Sequence, residues 1–153
     1  MTPPKRFLVP TDFSPPSAAA LSYAKMLAEI HGASLHVLHV MDDPLPGIKM
    51  PDHVCSIPAI RKQLEREAAE SLDNLLTADE RTKFHATLTA EWGKPYAKVL
   101  TFAQDHKIDL IIMGTHGRGA IEHALIGSVA ERVVRRSVCP VLTIRPAPEV
   151  TPT

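Results

Sequence analysis

Along the chain, short apolar runs alternate with longer stretches in which apolar residues return every three or four positions. Arg6–Pro10 (RFLVP) is the first run, and it ends in the turn-prone PTDFSPPS. A helix is predicted to follow, with Ser14 as its N-cap and Pro15 and Pro16 in its first turn, where a missing N–H costs nothing. Ala18, Leu21, Ala24, Met26, Leu27 and Ile30 recur along it with near-helical spacing. Gly32 is the stop signal. ASLHVLHVM (33–41) reads as a strand rich in β-formers. The Pro-rich stretch Asp42–Pro58 reads as a loop longer than most connections in compact domains, and such loops tend to carry function or motion.

In the second half, Ile60, Leu64, Ala68, Leu72 and Leu75 form one apolar stripe and predict a helix over 60–76. FHATLTAEW (84–92) alternates as a strand does, and Pro95 opens a helix that ends near His106. IDLIIMG (108–114) is the most apolar strand candidate and is expected to be buried on both faces. Ser128–Arg136 reads as a helix and PVLTI (140–144) as the last strand. From Arg145 onward the chain is Pro-rich; the domain is expected to span 1–146, with 147–153 a flexible tail.

Strand–helix alternation of this kind predicts an α/β fold: one domain, a five-stranded parallel sheet and helices on both faces, in the Rossmann-like manner. Ligands of open parallel sheets bind outside the carboxyl ends of the strands, where the strand order reverses. Three strand ends therefore draw attention: Pro10–Ser14, Val40–Asp43 and Met113–Arg118.

The composition narrows the partners. Lys plus Arg equals Asp plus Glu, 17 each, so no global field steers the chain toward nucleic acid or an anionic membrane. An anion site must then be local. The start, MTPPKRFLVPTDFS, lacks the apolar core of about 7–15 residues that marks a secretory signal. No apolar run approaches the roughly 18 residues of a membrane span. Cys55 and Cys139 are far apart, with no CxxC spacing. Together these features favour a cytoplasmic setting with free thiols.

Four of the seven glycines crowd into MGTHGRGAIEHALIGSVAERV (113–133), directly after the apolar strand. A Gly-rich turn running into a helix start can wrap phosphate between backbone N–H groups and the helix N-terminus. Ser128 stands where it would cap that helix or offer its hydroxyl to a phosphate oxygen, and His116 and Arg118 supply the nearby positive charge. The spacing G-x2-G-x9-G-S, as Gly114, Gly117, Gly127 and Ser128, resembles the nucleotide-binding pattern of the universal stress protein family. VPTDFS (9–14) is similar to that family's opening strand and loop, and VCPVLTIRP (138–146) to its last strand, so the resemblance covers residues 4–146.

That resemblance implies an ATP site, with or without Mg2+. Asp12 would contact the ribose and Val40 the adenine edge through its backbone. Gly114, Gly117, Gly127, Ser128 and Val129 would hold the phosphates, with Pro10, Thr11, Met113, His116 and Arg118 around them. It also implies a homodimer through the last strand (Val141, Leu142, Thr143, Ile144). The Asp42–Pro58 loop matches no motif of the family.

Competing chemistry finds less support. Glu122 stands where the third glycine of GxGxxG belongs, and GxxxxGK[ST] is absent. GSVAE lacks the second glycine of a nucleophile elbow. His36 and His39, three apart on a strand, fall on opposite faces. His116 and His123 lack a third metal ligand nearby. Asp42 and Asp43 resemble the acidic pair of a receiver domain but follow the second strand, not the first. RKQLEREAAE reads as a solvated helix face with i,i+4 pairing. The expected function is ATP binding in stress response or signalling, with nucleotide ordering the 115–127 and 42–58 segments. The alternatives are a slow ATP hydrolase or adenylate-transferring enzyme, with His116 as the candidate base, and a nucleotide-free dimeric interaction module.

Overall fold

The computed structural model describes residues 2–42, 57–116 and 126–147. The elements run β1 (Arg6–Thr11), α1 (Pro15–His31), β2 (Ser34–Met41), α2 (Ile57–Asp73), α3 (Ala78–Lys83), β3 (Thr87–Trp92), α4 (Pro95–Asp105), β4 (Leu110–Gly114), α5 (Ser128–Arg136) and β5 (Val141–Ile144). The strands form one parallel five-stranded sheet in the order β3-β2-β1-β4-β5. The chain winds outward from β1 to β3, returns to the other side of β1 for β4, and so reverses between β1 and β4.

The period-two alternation of the central strands feeds two cores. Phe7, Val9, Leu35, Val37 and Ile112 point to one face, where α1 and α2 supply Ala20, Ala24 and Leu72. Leu8, Leu38, Ile111 and Met113 point to the other, against Val99 and Phe102 of α4 and Val133 of α5. The expectation that 108–114 is buried on both faces holds for Ile111, Ile112 and Met113.

Helix α1 starts and stops as its sequence predicts. Ser14 caps it by accepting from Ser17 N–H, prolines fill the first turn, and Gly32 closes it at φ +60°. Its buried face keeps Leu21 and Ala24 of that set, with Leu27 partly buried, and adds Ser17, Ala20 and Ala28, while Met26 is 47% and Ile30 70% exposed. The helix packs over β1 and β4, and small side chains permit that closeness where larger ones would hold it away.

Two further expectations are corrected. Helix α2 begins at Ile57, so Pro58 sits in its first turn and not in a loop. Residues 78–83 form α3, where no element was expected; Thr77 and Glu80 close its first turn as a reciprocal capping box at 3.1 and 2.9 Å. Phe84, expected to open the third strand, instead ends α3 and is buried. The charged run of α2 is partly engaged: Gln63 pairs with Glu67, but Glu65 accepts from Trp92 Nε1 at 2.8 Å and Arg61 lies 4.4 Å over the indole ring. These contacts dock α2 on the end of β3.

At the amino ends of the strands, Asp109 clasps the start of β1. Its Oδ2 accepts from the N–H groups of Lys5 and Arg6 at 3.0 and 2.9 Å, and its own N–H donates to Arg6 O at 2.9 Å. Burial pushes its carboxyl upward, but the Lys5 and Arg6 N–H groups and the Arg6 guanidinium outweigh that and leave it below its ordinary value. Among the described residues no helix is long and apolar enough to cross a membrane, and Cys139 is a half-buried free thiol. Cys55 and the 148–153 segment lie outside the described residues.

Candidate functional site

The reversal between β1 and β4 opens a cavity of about 360 Å³ at the carboxyl ends of β1, β2 and β4. Of the residues singled out from sequence, Pro10, Thr11, Asp12, Val40, Met113, Gly114, His116, Gly127, Ser128 and Val129 all line it. Gly117 and Arg118 lie outside the described residues, as do His123 and Asp43.

The turn after β1 is built by its own short side chains. Asp12 Oδ1 accepts from Ser14 N–H at 3.0 Å and from the Ser14 hydroxyl, while Thr11 Oγ1 accepts from Phe13 N–H at 3.1 Å. Phe13 is thereby held at φ +63°, uncommon for a bulky residue. Thr11 and Ser17 hydroxyls meet at 3.2 Å beneath the turn, which ties it to the first turn of α1. Asp12 thus braces the turn and presents its carboxyl group to the cavity from a fixed backbone.

Gly114 meets two demands at once. It lines the cavity, yet a Cβ built on it would lie 2.9 Å from the carbonyl carbon and Cβ of Pro16. The first turn of α1 therefore occupies the space a side chain would need. Thr115 follows, buried; its N–H donates to Ile144 O at 3.0 Å and its carbonyl accepts from Gly127 N–H. One residue thus ties β4, β5 and the mouth of α5 together. Its hydroxyl lies 3.0 Å from His116 Nδ1.

The cap of α5 differs from expectation. Gly127, at φ −74° and ψ 161°, is the N-cap, its carbonyl accepts from Glu131 N–H at 2.9 Å, and no side chain caps the helix. Ser128 is the first helical residue, one position too late for its hydroxyl to reach back as a cap. Gly127 also has a φ open to any L residue, so handedness does not require glycine there. The first N–H groups of α5 belong to Ser128, Val129 and Ala130, which all line the cavity; a helix mouth of this kind favours negative charge.

Sequence reasoning missed the opposite wall. Pro95 and Val99 of α4 face the expected Val40 and its neighbour Leu38 across an apolar slot; Ser17 and Ala130, with Asp42 and Thr115 from the strand ends already singled out, complete the lining. The signal was present: Pro95 opens a helix immediately after a strand's carboxyl end, which in a parallel sheet is the ligand side. Among the described lining residues the formal charges are the carboxylates of Asp12 and Asp42, with no lysine or arginine. No cluster of three metal-ligating side chains occurs among the described residues. The donor set thus grades from an apolar slot, past a carboxylate, to a helix N-terminus, which fits a flat heterocycle, a hydroxylated linker and an anion in turn.

Residues 3–145 match the profile of the Universal stress protein family. The chain is 33% identical over 144 residues to universal stress protein MJ0531 of Methanocaldococcus jannaschii, covering 92% of this chain and 82% of that protein. Its fold superposes on the solved structure of MJ0577, of the same organism, with a TM-score of 0.81 at 28% identity, over 97% of this chain and all of that one. A universal stress protein solved in complex with cAMP is similar at 25% identity and a TM-score of 0.58, over 94% of this chain and 98% of that one. Sequence profile, full-length relatives and sheet topology agree, and the chain belongs to the universal stress protein family.

Proposed function

We propose that this universal stress protein binds ATP in the cavity between β1 and β4 and acts in stress response or signalling through nucleotide-dependent conformation. The observation that carries the proposal is the convergence of ten residues, chosen from three separate sequence stretches, on one cavity at the switch point of the sheet. In it adenine lies between Val40 and the Pro95–Val99 wall, the ribose hydroxyls meet Asp12, and the phosphates lie against Gly127, Ser128 and Val129. The segments leaving the cavity at Asp42 and His116 lead to α2 and α5, so occupancy is communicated to the surface through them. The cAMP complex of a relative supports the adenine class of ligand, to which ATP belongs. Mg2+ accompanies the triphosphate, offsetting the two carboxylates of the lining. The setting is cytoplasmic.

The protein acts as a homodimer through β5, which is an edge strand of the sheet. The carbonyls of Pro140 and Ile144 accept from Ile111 and Thr115, so they face β4. With a strand period of two, the backbone groups of Val141 and Thr143 point away from β4, toward the open edge. Pairing across a two-fold axis covers them.

Native mass spectrometry of the purified protein tests both parts together. The expected species is a dimer carrying adenine nucleotide, or taking up one ATP per protomer when ATP is added. A monomer that takes up no nucleotide contradicts the proposal. Turnover of ATP near the ~10 s⁻¹ typical of enzymes would make the protein a hydrolase instead.

A further inference from the structure

At the amino end of the sheet, away from the cavity, two imidazoles meet under α4. His36 lies in β2, next to Leu8 of β1 and Thr87 of β3, half-buried, with its Nδ1 2.8 Å from Thr87 Oγ1. His106 ends α4; its Nδ1 lies 3.1 Å from Phe102 O, and its ring stacks on Phe102 at 3.8 Å and 14°. The His36 centroid is 5.9 Å from that of His106 and 6.0 Å from that of Phe102, so it lies beside the stack and not within it.

The surrounding charges are unfavourable to a proton. Arg6 of β1 and His106 of α4 bear on His36, while Thr87 of β3 is neutral. The carboxylate paired with Arg6, Asp109 on the α4–β4 connection, also accepts from the N–H groups of Lys5 and Arg6 and is not among the groups that act on His36. Burial first, then His106, then Arg6 hold the His36 imidazole below its ordinary value of 6.5. The unprotonated His36 ring packs beside the His106–Phe102 stack. A proton on His36 puts charge into a half-buried site, with the His106 centroid 5.9 Å away and Arg6 close by, and the relief nearest to hand is for the exposed end of α4 to move away from β2.

We propose that the His36–His106 pair is a proton-operated latch, which holds the carboxyl-terminal turn of α4 on the sheet at neutral pH and releases it on acidification. Helix α4 is short, with eleven residues spanning about 16 Å. Its other end places Pro95 and Val99 in the cavity wall, so release at His106 loosens the apolar slot. This second consequence rests on the nucleotide reading above; the latch itself does not.

The direction follows from linkage. His36 binds its proton less readily in the folded than in the unfolded chain, so stability is flat above about 6.5 and falls as pH drops from there through the folded value. Within that window each proton taken up shifts the opening equilibrium by at most about tenfold per pH unit.

The test is made on the full chain by NMR between about pH 7.5 and about pH 5. Histidine ring signals report titration, and hydrogen-exchange protection factors report the α4 amides of Phe102 and Ala103. In the wild type, His36 should titrate below its ordinary value and protection in α4 should fall with pH. His106→Gln should raise the His36 midpoint and flatten the fall in protection; His36→Gln should abolish that fall. An unchanged pH dependence of α4 protection in His106→Gln, whose site is at the exposed helix end, overturns the latch, as does a wild-type His36 titrating at or above its ordinary value. Binding of cAMP, a phosphodiester with no proton equilibrium in this range, is then compared at the two pH limits. It should weaken with acid in the wild type and hold in His106→Gln. If the α4 amides respond as expected and cAMP binds at neither pH, the latch stands and the nucleotide reading loses its support.

Discussion

Replacing Gly114 by alanine should destabilise the fold itself, with or without ligand. The new Cβ would lie 2.9 Å from two carbons of Pro16 and 3.0 Å from its carbonyl oxygen. Carbon pairs settle at about 3.5–4.0 Å, so the overlap is roughly 0.6–1 Å. The obstacle is backbone, and it has little freedom to yield. The first turn of α1 carries the Ser14 cap, the Ser17 hydroxyl bonded to Ser14 O at 2.9 Å, and a contact through Ala20 and Ala24. Forcing one methyl group into such a contact costs about 1–3 kcal/mol, and the backbone clash places the value in the upper half. Gly127→Ala is the control: its φ of −74° suits alanine, and losing glycine at an N-cap costs under about 1 kcal/mol. Urea unfolding of both variants without nucleotide, compared by midpoint at equal m-value, measures the difference. A Gly114→Ala protein within about 0.5 kcal/mol of wild type, or less affected than Gly127→Ala, would refute the packing role assigned to Gly114.

Other variants separate fold from site. Ser128→Ala should leave stability within about 0.5 kcal/mol, because the hydroxyl caps nothing and alanine favours helix; ATP binding should weaken by about 1 kcal/mol, roughly fivefold, in a calorimetric titration. Asp109→Asn should cost about 1–2 kcal/mol of unfolding free energy at neutral pH. Since the Asp109 carboxyl is held below its ordinary 3.8, its contribution is present above that value and fades as pH falls through the folded one, so wild type and variant should converge in acid; a constant gap down to that range would assign the loss to packing. Thr143→Pro removes an edge donor without touching the ladder to β4, and should shift sedimentation from dimer to monomer, whereas an unchanged dimer would place the interface elsewhere.

Much of the fold was legible because buried parallel strands announce themselves as apolar runs between helical periods, as IDLIIMG does. Helix α1 shows where periodicity runs out: Leu21 and Ala24 of its apolar repeat are buried, but Met26 and Ile30 are exposed. Met26 and Ile30 are more hydrophobic than Ala20, Ala24 and Ala28, but the distance between helix and sheet, which no sequence pattern states, selects the smaller set. Helix α3 is too short to show a period, although its capping box, TADE at 77–80, was there to be read. For the site, the motif picked the two strand ends and the α5 mouth correctly as neighbours. It missed Pro95 and Val99 because they come from the helix after β3, brought alongside β2 only by the topology. Ser128 was misplaced by one residue because Gly127 can itself serve as the half-helical cap.

Amide NMR spectra recorded with and without ATP would show whether adenine nucleotide occupies the cavity between β1 and β4. Occupancy there should give saturable changes largest at Thr11, Asp12, Val40 and Gly127–Ala130, with the amides around Asp109 and Lys5 at the other end of the sheet left in place. No change at millimolar ATP, or changes gathered away from those residues, would contradict it.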